Sequence, residues 1–134
     1  MKKQLNFIFS SIALVCILQS CTKDDVGSSP NGGGSRAIKY EITGNYSGEM
    51  IVVAATNNDD FEVIEVKKLP WKLEFTAKES IKTIVATAQG STPGVAGQTA
   101  TLKTYVGGTE VSSGTGTALS SGFISLTNKV YILK

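Results

Sequence analysis

The sequence predicts an all-β fold of short antiparallel strands, on three observations. Beyond residue 36, apolar residues recur at every second position, the period of a half-buried strand and not of a helix. Clusters of Gly, Asn, Asp, Ser and Pro separate these stretches, and those residues build turns. Gly is abundant at 14 of 134 residues, with 41% apolar content and frequent Ser and Thr, which favours strands and turns over helix.

The elements follow in order along residues 37–134. "AIKYEIT" (37–43) places Ile38, Tyr40 and Ile42 on one face and Lys39 and Glu41 on the other. "EMIVVAAT" (49–56) is a continuous apolar run, the pattern of a strand buried on both faces. "FEVIEVK" (61–67) puts Phe61, Val63 and Glu65 on one side and Glu62, Ile64 and Val66 on the other. "WKLEFTA" (71–77) alternates strictly, with Trp71, Leu73 and Phe75 inward. "IKTIVATA" (81–88), "ATLKTYV" (100–106), "TEVSSG" (109–114), "GFISLT" (122–127) and "KVYILK" (129–134) complete the series. Between them lie "NNDD" (57–60), "GSTPGVAGQ" (90–98), Gly107-Gly108 and "SSG" (120–122). Two glycines between alternating runs signal a two-residue hairpin. "AKESIKT" (77–83) has room for one turn and no more. Many short strands with polar turns point to an immunoglobulin-like antiparallel β-sandwich of about seven to nine strands, in a single domain.

The segment before this domain reads as an address. Lys2 and Lys3 start it, "LNFIFSSIALVCIL" (5–18) is apolar and uncharged, and "LQSC" (18–21) ends it. A basic start, an apolar stretch and a small residue before a cut site make a secretory signal peptide, here residues 1–20. "LQSC" resembles the bacterial lipobox, which implies that Cys21 receives a diacylglycerol and becomes the first residue of the mature chain. Cys16 then belongs to the discarded run, and the two cysteines form neither a disulfide nor a metal site. Two or more acyl chains anchor stably, at roughly 0.8 kcal/mol per buried CH₂. Lys23, Asp24 and Asp25 resemble the short export signal of Bacteroidota surface lipoproteins, which implies an outer-membrane, surface-exposed location. Residues 21–36 carry the lipidated Cys and the linker "VGSSPNGGGSR" (26–36), whose Gly/Ser composition is that of flexible coil.

Composition excludes several kinds of chemistry. The sequence contains no histidine, the commonest general base and metal ligand. Its net charge is +2, and without Lys2 and Lys3 the 11 remaining basic residues balance 11 acidic ones. No basic stripe exists to bind nucleic acid. Ser and Thr have no His to activate them, and both thiols precede the domain. Glu62 and Glu65 fall on opposite faces of one strand and cannot flank a glycosidic bond. "NNDDFE" (57–62) gathers oxygen ligands, with Asn57, Asp59 and Asp60 the candidates for a hard cation or a polar ligand. The competing reading is a hairpin turn, because Asn and Asp are standard turn formers. No cofactor and no enzymatic activity are expected.

"LPW" (69–71) carries the most individual local signal. Pro70 lacks an N–H and belongs at the start of a strand or on an edge. Trp71 is either the core's largest side chain or a platform on which a ligand stacks. Taken with "YEITG" (40–44), "ATAQG" (86–90) and "LKTYVGGTEV" (102–111), it resembles the MmpS family, small membrane-anchored partners of mycobacterial lipid and siderophore exporters. The resemblance covers about residues 40–112. It departs from the family in having no cysteine beyond residue 21, where the family has a disulfide, and in "VGG" (106–108) where "VDG" is usual. The resemblance implies an accessory module of an envelope transport or assembly system. A surface module binding glycan or peptide through Trp71 or the loops is the alternative.

Overall fold

The computed structural model describes residues 34–134, so Cys21, Lys23, Asp24 and Asp25 lie outside the described residues. Ten strands form, all in antiparallel pairs: β1 (Ala37–Gly44), β2 (Met50–Ala55), β3 (Phe61–Val66), β4 (Trp71–Thr76), β5 (Thr83–Ile84), β6 (Ala86–Gly90), β7 (Thr99–Val106), β8 (Thr109–Thr117), β9 (Ser125–Thr127) and β10 (Tyr131–Ile132). No helix appears among the described residues. One four-stranded sheet runs β4-β1-β7-β8 and the other β3-β2-β6-β9, with β5 and β10 pairing separately. This is the expected antiparallel β-sandwich, and its strand number exceeds the expectation because "IKTIVATA" divides into β5 and β6.

The core lies between the inner faces of the two sheets. β1 contributes Ile38, Tyr40 and Ile42, β2 Met50, Val52 and Ala54, and β7 Ala100 and Leu102, all buried. Each fully buried large side chain contributes roughly 1.5–3 kcal/mol of apolar burial. Tyr40 sits in the middle, its hydroxyl donating to the Ala55 carbonyl at 2.8 Å. Burial holds the Tyr40 phenol well above its ordinary range, so it stays neutral.

Two expectations about faces need correction. β2 is not buried on both sides, because only its Met50-Val52-Ala54 face meets the other sheet, while Ile51, Val53 and Ala55 are half-buried on an uncovered face. On the neighbouring edge strand β3 the same outer face carries Phe61 and Val63, 61% and 65% exposed. Trp71 is half-buried on the edge strand β4, packed against the core from its rim. Tyr40, not Trp71, heads the fully buried side chains by size.

Local chemistry explains the turns. Gly107 and Gly108 have φ of 58° and 81°, the positive pair that a tight hairpin between twisted strands requires. β8 continues past Gly114 to Thr117, beyond its expected end, because its glycines face β9. A Cβ at Gly114 would lie 2.0 Å from the Thr127 carbonyl oxygen, and one at Gly116 2.4 Å from that of Ser125. Those glycines let the two sheets close on one another along that side.

The chain crosses between the large sheets at one end. The β1–β2, β3–β4, β6–β7 and β8–β9 connections all leave from that end, where Gly44, Met50, Gly90 and Ala100 lie in register. The opposite end carries the β2–β3 and β7–β8 hairpins and receives the chain at Arg36. There the Arg36 guanidinium donates to the carbonyls of Ala77 (3.0 Å), Lys78 (2.6 Å), Ile81 and Lys134 (3.4 Å).

Candidate functional site

The residues singled out from the sequence do not converge. Ala37 pairs with Thr76 and Ile42 with Trp71, so Trp71 stands at the crossing end. The Asn57–Asp60 turn lies at the other end, where the Asn57 amide donates to the Thr76 carbonyl at 2.6 Å. The Asn57 Oδ1 in turn accepts from the Lys78 backbone N–H at 2.8 Å. Asn57 therefore ties a hairpin turn to the segment after β4, the role of a turn former. Asp59 and Asp60 are exposed on the rim of a shallow depression of about 290 Å³ with Ser80 and Lys82. Among the described residues, no group of three or more acidic or thiol side chains comes together as a metal cluster would.

A cleft of about 490 Å³ opens on the outer face of β4, β1 and β7, lined by Ala37, Lys39, Glu74, Thr76 and Tyr105 among others. Its charged side chains are paired with neighbours outside it, Glu74 with Lys72 at 3.4 Å. The Lys39 ammonium lies 4.0 Å over the Tyr105 ring and 3.8 Å from Glu41. The Tyr105 hydroxyl donates to Glu41 at 3.2 Å. Lys103 is paired with Glu110 at 3.0 Å, and that hydrogen bond holds its ammonium above the usual lysine range. A ring face already capped by a cation offers little stacking surface to a sugar.

The crossing end is different in kind. Its two long loops, 91–98 and 118–124, contain no charged residue. Tyr46 organises them. Its buried ring occupies a nook walled by Gly48, Gly90 and Gly94, at each of which a Cβ would approach it to under 3 Å. Its hydroxyl donates to the Thr92 carbonyl at 2.7 Å and lies 3.1 Å from that of Gly122. The Gln98 Oε1 accepts from the Ser47 and Val95 backbone N–H groups and from the Ser47 hydroxyl, at 3.0, 2.9 and 2.9 Å. Thr92 Oγ1 accepts from the Glu49 N–H at 2.8 Å, and Asn45 Oδ1 from the Thr99 N–H at 2.8 Å. Gly94 N–H donates to the Gly122 carbonyl at 2.9 Å and Gly97 N–H to Ala118 at 2.9 Å, joining the two loops.

On this framework sit Val95, Leu119 and Phe123, exposed by 62%, 65% and 42%. Apolar side chains held on a hydrogen-bonded frame lose little entropy when a partner covers them. The internal bonding of loop 90–98 makes it an ordered surface. Sequence reasoning had no signal for Leu119 and Phe123, because isolated apolar residues flanking "SSG" read as the start of a strand. The arrangement offers apolar side chains on an ordered frame, carried by two loops without charge. No family model, no curated protein and no solved structure matches this chain.

Proposed function

We propose that this chain is a non-enzymatic lipoprotein of the cell envelope, anchored to the outer membrane through Cys21, whose sandwich domain docks an envelope protein of a transport or assembly system. The anchor rests on the lipobox-like "LQSC", and surface display on Lys23-Asp24-Asp25. The accessory role accords with the MmpS-like order of motifs. The single observation that carries the docking role is the uncharged, internally hydrogen-bonded loop surface bearing Val95, Leu119 and Phe123. It lies at the end of the domain opposite Arg36. A protein partner suits that surface better than a glycan, because Val95 and Leu119, its two most exposed side chains, are aliphatic and offer a sugar neither a stacking ring nor a hydrogen bond.

The test is a photo-crosslinking residue at Leu119 in cells making the full chain. A discrete adduct with one envelope protein, lost with Phe123→Ser, is expected. Absence of any adduct, together with a clear signal on a glycan array, would reverse the reading in favour of a glycan-binding module. Incorporation of labelled palmitate, lost with Cys21→Ser, is expected for the anchor, and retention of label in that variant would overturn it.

A further inference from the structure

Gln98 stands where the three loops of the crossing end meet. Its backbone N–H donates to the Val95 carbonyl at 3.1 Å, and its carbonyl accepts from the Ala118 N–H at 2.7 Å. Its side-chain Oε1 accepts from the Ser47 and Val95 N–H groups and from the Ser47 hydroxyl. Three donors therefore share an oxygen that has two lone pairs. They also fix which way round the amide lies, because the opposite orientation would set its NH₂ group against two backbone N–H donors. A glutamine on a surface ordinarily keeps much of its rotamer freedom. Here three hydrogen bonds restrain it before any partner arrives.

What remains is the amide nitrogen, Nε2. Asn57 and Asn128 use theirs within the chain, donating to the Thr76 carbonyl at 2.6 Å and to Thr104 Oγ1 at 2.9 Å. Gln98 Nε2 donates to no acceptor among the described residues. Nor is it enclosed, since the one buried side-chain polar atom without a partner among those residues is Asn128 Oδ1. Two N–H donors are thus held in place, open to solvent, beside the exposed Val95. A donor already immobilised loses little further entropy when it meets an acceptor. A few fixed polar groups among apolar ones are what orient a ligand on a binding surface.

The surroundings set the chemistry of the acceptor. Loops 91–98 and 118–124 hold no charged residue. A carboxylate pressed against them would leave water with no cation in either loop to meet it. A neutral carbonyl needs only the hydrogen bond. A protein main chain supplies that carbonyl together with side chains that cover Val95 and Leu119. We infer that Gln98 is the specificity-determining residue of the loop surface, donating through Nε2 to a main-chain carbonyl of the docked protein. This inference rests on the docking role proposed above.

The experiment uses the full chain in cells, with the photo-crosslinking residue at Leu119. Gln98→Glu separates the donor from the frame. Its carboxylate still accepts from Ser47 and Val95, and it puts an oxygen where Nε2 donated. The purified full chain with Gln98→Glu is expected to keep its melting temperature within about 4 °C. The adduct yield is expected to fall about tenfold or more, because an acceptor then faces an acceptor. Ser113→Glu puts the same charge on the exposed middle of β8, outside the loops, and is expected to leave the yield unchanged. An undiminished adduct with Gln98→Glu, an equal loss with Ser113→Glu, or a loss accompanied by a lower melting temperature would each overturn the assignment. So would a glycan-array signal that falls with Gln98→Glu while no protein adduct forms. Absence of any signal with Gln98 in place fails the docking role itself, and this inference with it.

Discussion

Tyr46 and Gly90 form a coupled pair whose energetics can be worked from distances. A Cβ at Gly90 would lie 2.2 Å from the Tyr46 hydroxyl oxygen, with the next atoms, Tyr46 Cζ and the Ile124 backbone nitrogen, at 3.1 and 3.4 Å. In the wild-type background Gly90→Ala therefore forces the ring or the strand to shift, an overpacking cost of about 1–3 kcal/mol. Tyr46→Phe removes the offending oxygen and also the hydrogen bond to Thr92, costing about 1–1.5 kcal/mol. Once that oxygen is gone, alanine in the strand recovers roughly 0.5–1 kcal/mol of backbone entropy over glycine. The second substitution thus turns from destabilising to stabilising, and the coupling amounts to about 1.5–4 kcal/mol. Urea unfolding followed by the fluorescence of Trp71, the only tryptophan, measures all four corners of the cycle at constant m. Strict additivity, within about 0.5 kcal/mol, would refute the claim that this ring fills the glycine-walled nook and orders the loops.

Other outcomes follow from the opposite end of the domain and from the core. Arg36→Ala is expected to cost about 2–3 kcal/mol and to release amide-exchange protection across residues 77–84, because four carbonyls lose a shared donor. Arg36→Lys should not restore it, since an ammonium cannot reproduce the planar fork. Asn57→Ala is expected to destabilise by about 1–2 kcal/mol, while Asp59→Asn and Asp60→Asn stay within about 0.5 kcal/mol. Calcium should leave the melting temperature of the wild-type chain unchanged, and a rise that vanishes with Asp59→Asn would restore the cation reading. Tyr40 binds its proton more tightly folded than unfolded. Its stabilising contribution is full below the unfolded phenol value of about 10 and falls as pH rises above it. Tyr40→Phe should flatten that alkaline loss while costing about 1 kcal/mol at neutral pH through the bond to Ala55.

Much of the fold was legible because its causes are local. Alternation in 37–43 and 100–106 reports which side chains share a face, and the burial of Ile38, Tyr40, Ile42 and Leu102 follows it. Gly107-Gly108 announced its hairpin because positive φ is a property of the residue itself. The turn at Asn57–Asp60 was legible because Asn and Asp side chains bond to nearby backbone. The candidate site was less so. Trp71 drew attention by its size and Asp59 and Asp60 by their charge, yet pairing places them at opposite ends of the sandwich. The loops at the crossing end are ordered by contacts 46 and 76 residues apart in sequence, from Tyr46 to Thr92 and Gly122, which no local pattern encodes.

Sequence alone therefore determined the strand periods and the turns, since each depends on a residue's own chemistry and that of its near neighbours. It also supplied the reading of residues 1–25 as an address. Only the tertiary structure decided which faces are covered. The run "MIVVAA" is apolar on both faces, but a second layer lies over one of them and none over the other. That difference leaves Phe61 and Val63 exposed beside an open edge. Likewise "SGTG" in β8 looks like a strand ending until β9 is placed against it, where only a residue without a Cβ fits. Period fixes the side on which a side chain lies, and packing between distant segments fixes what it meets there.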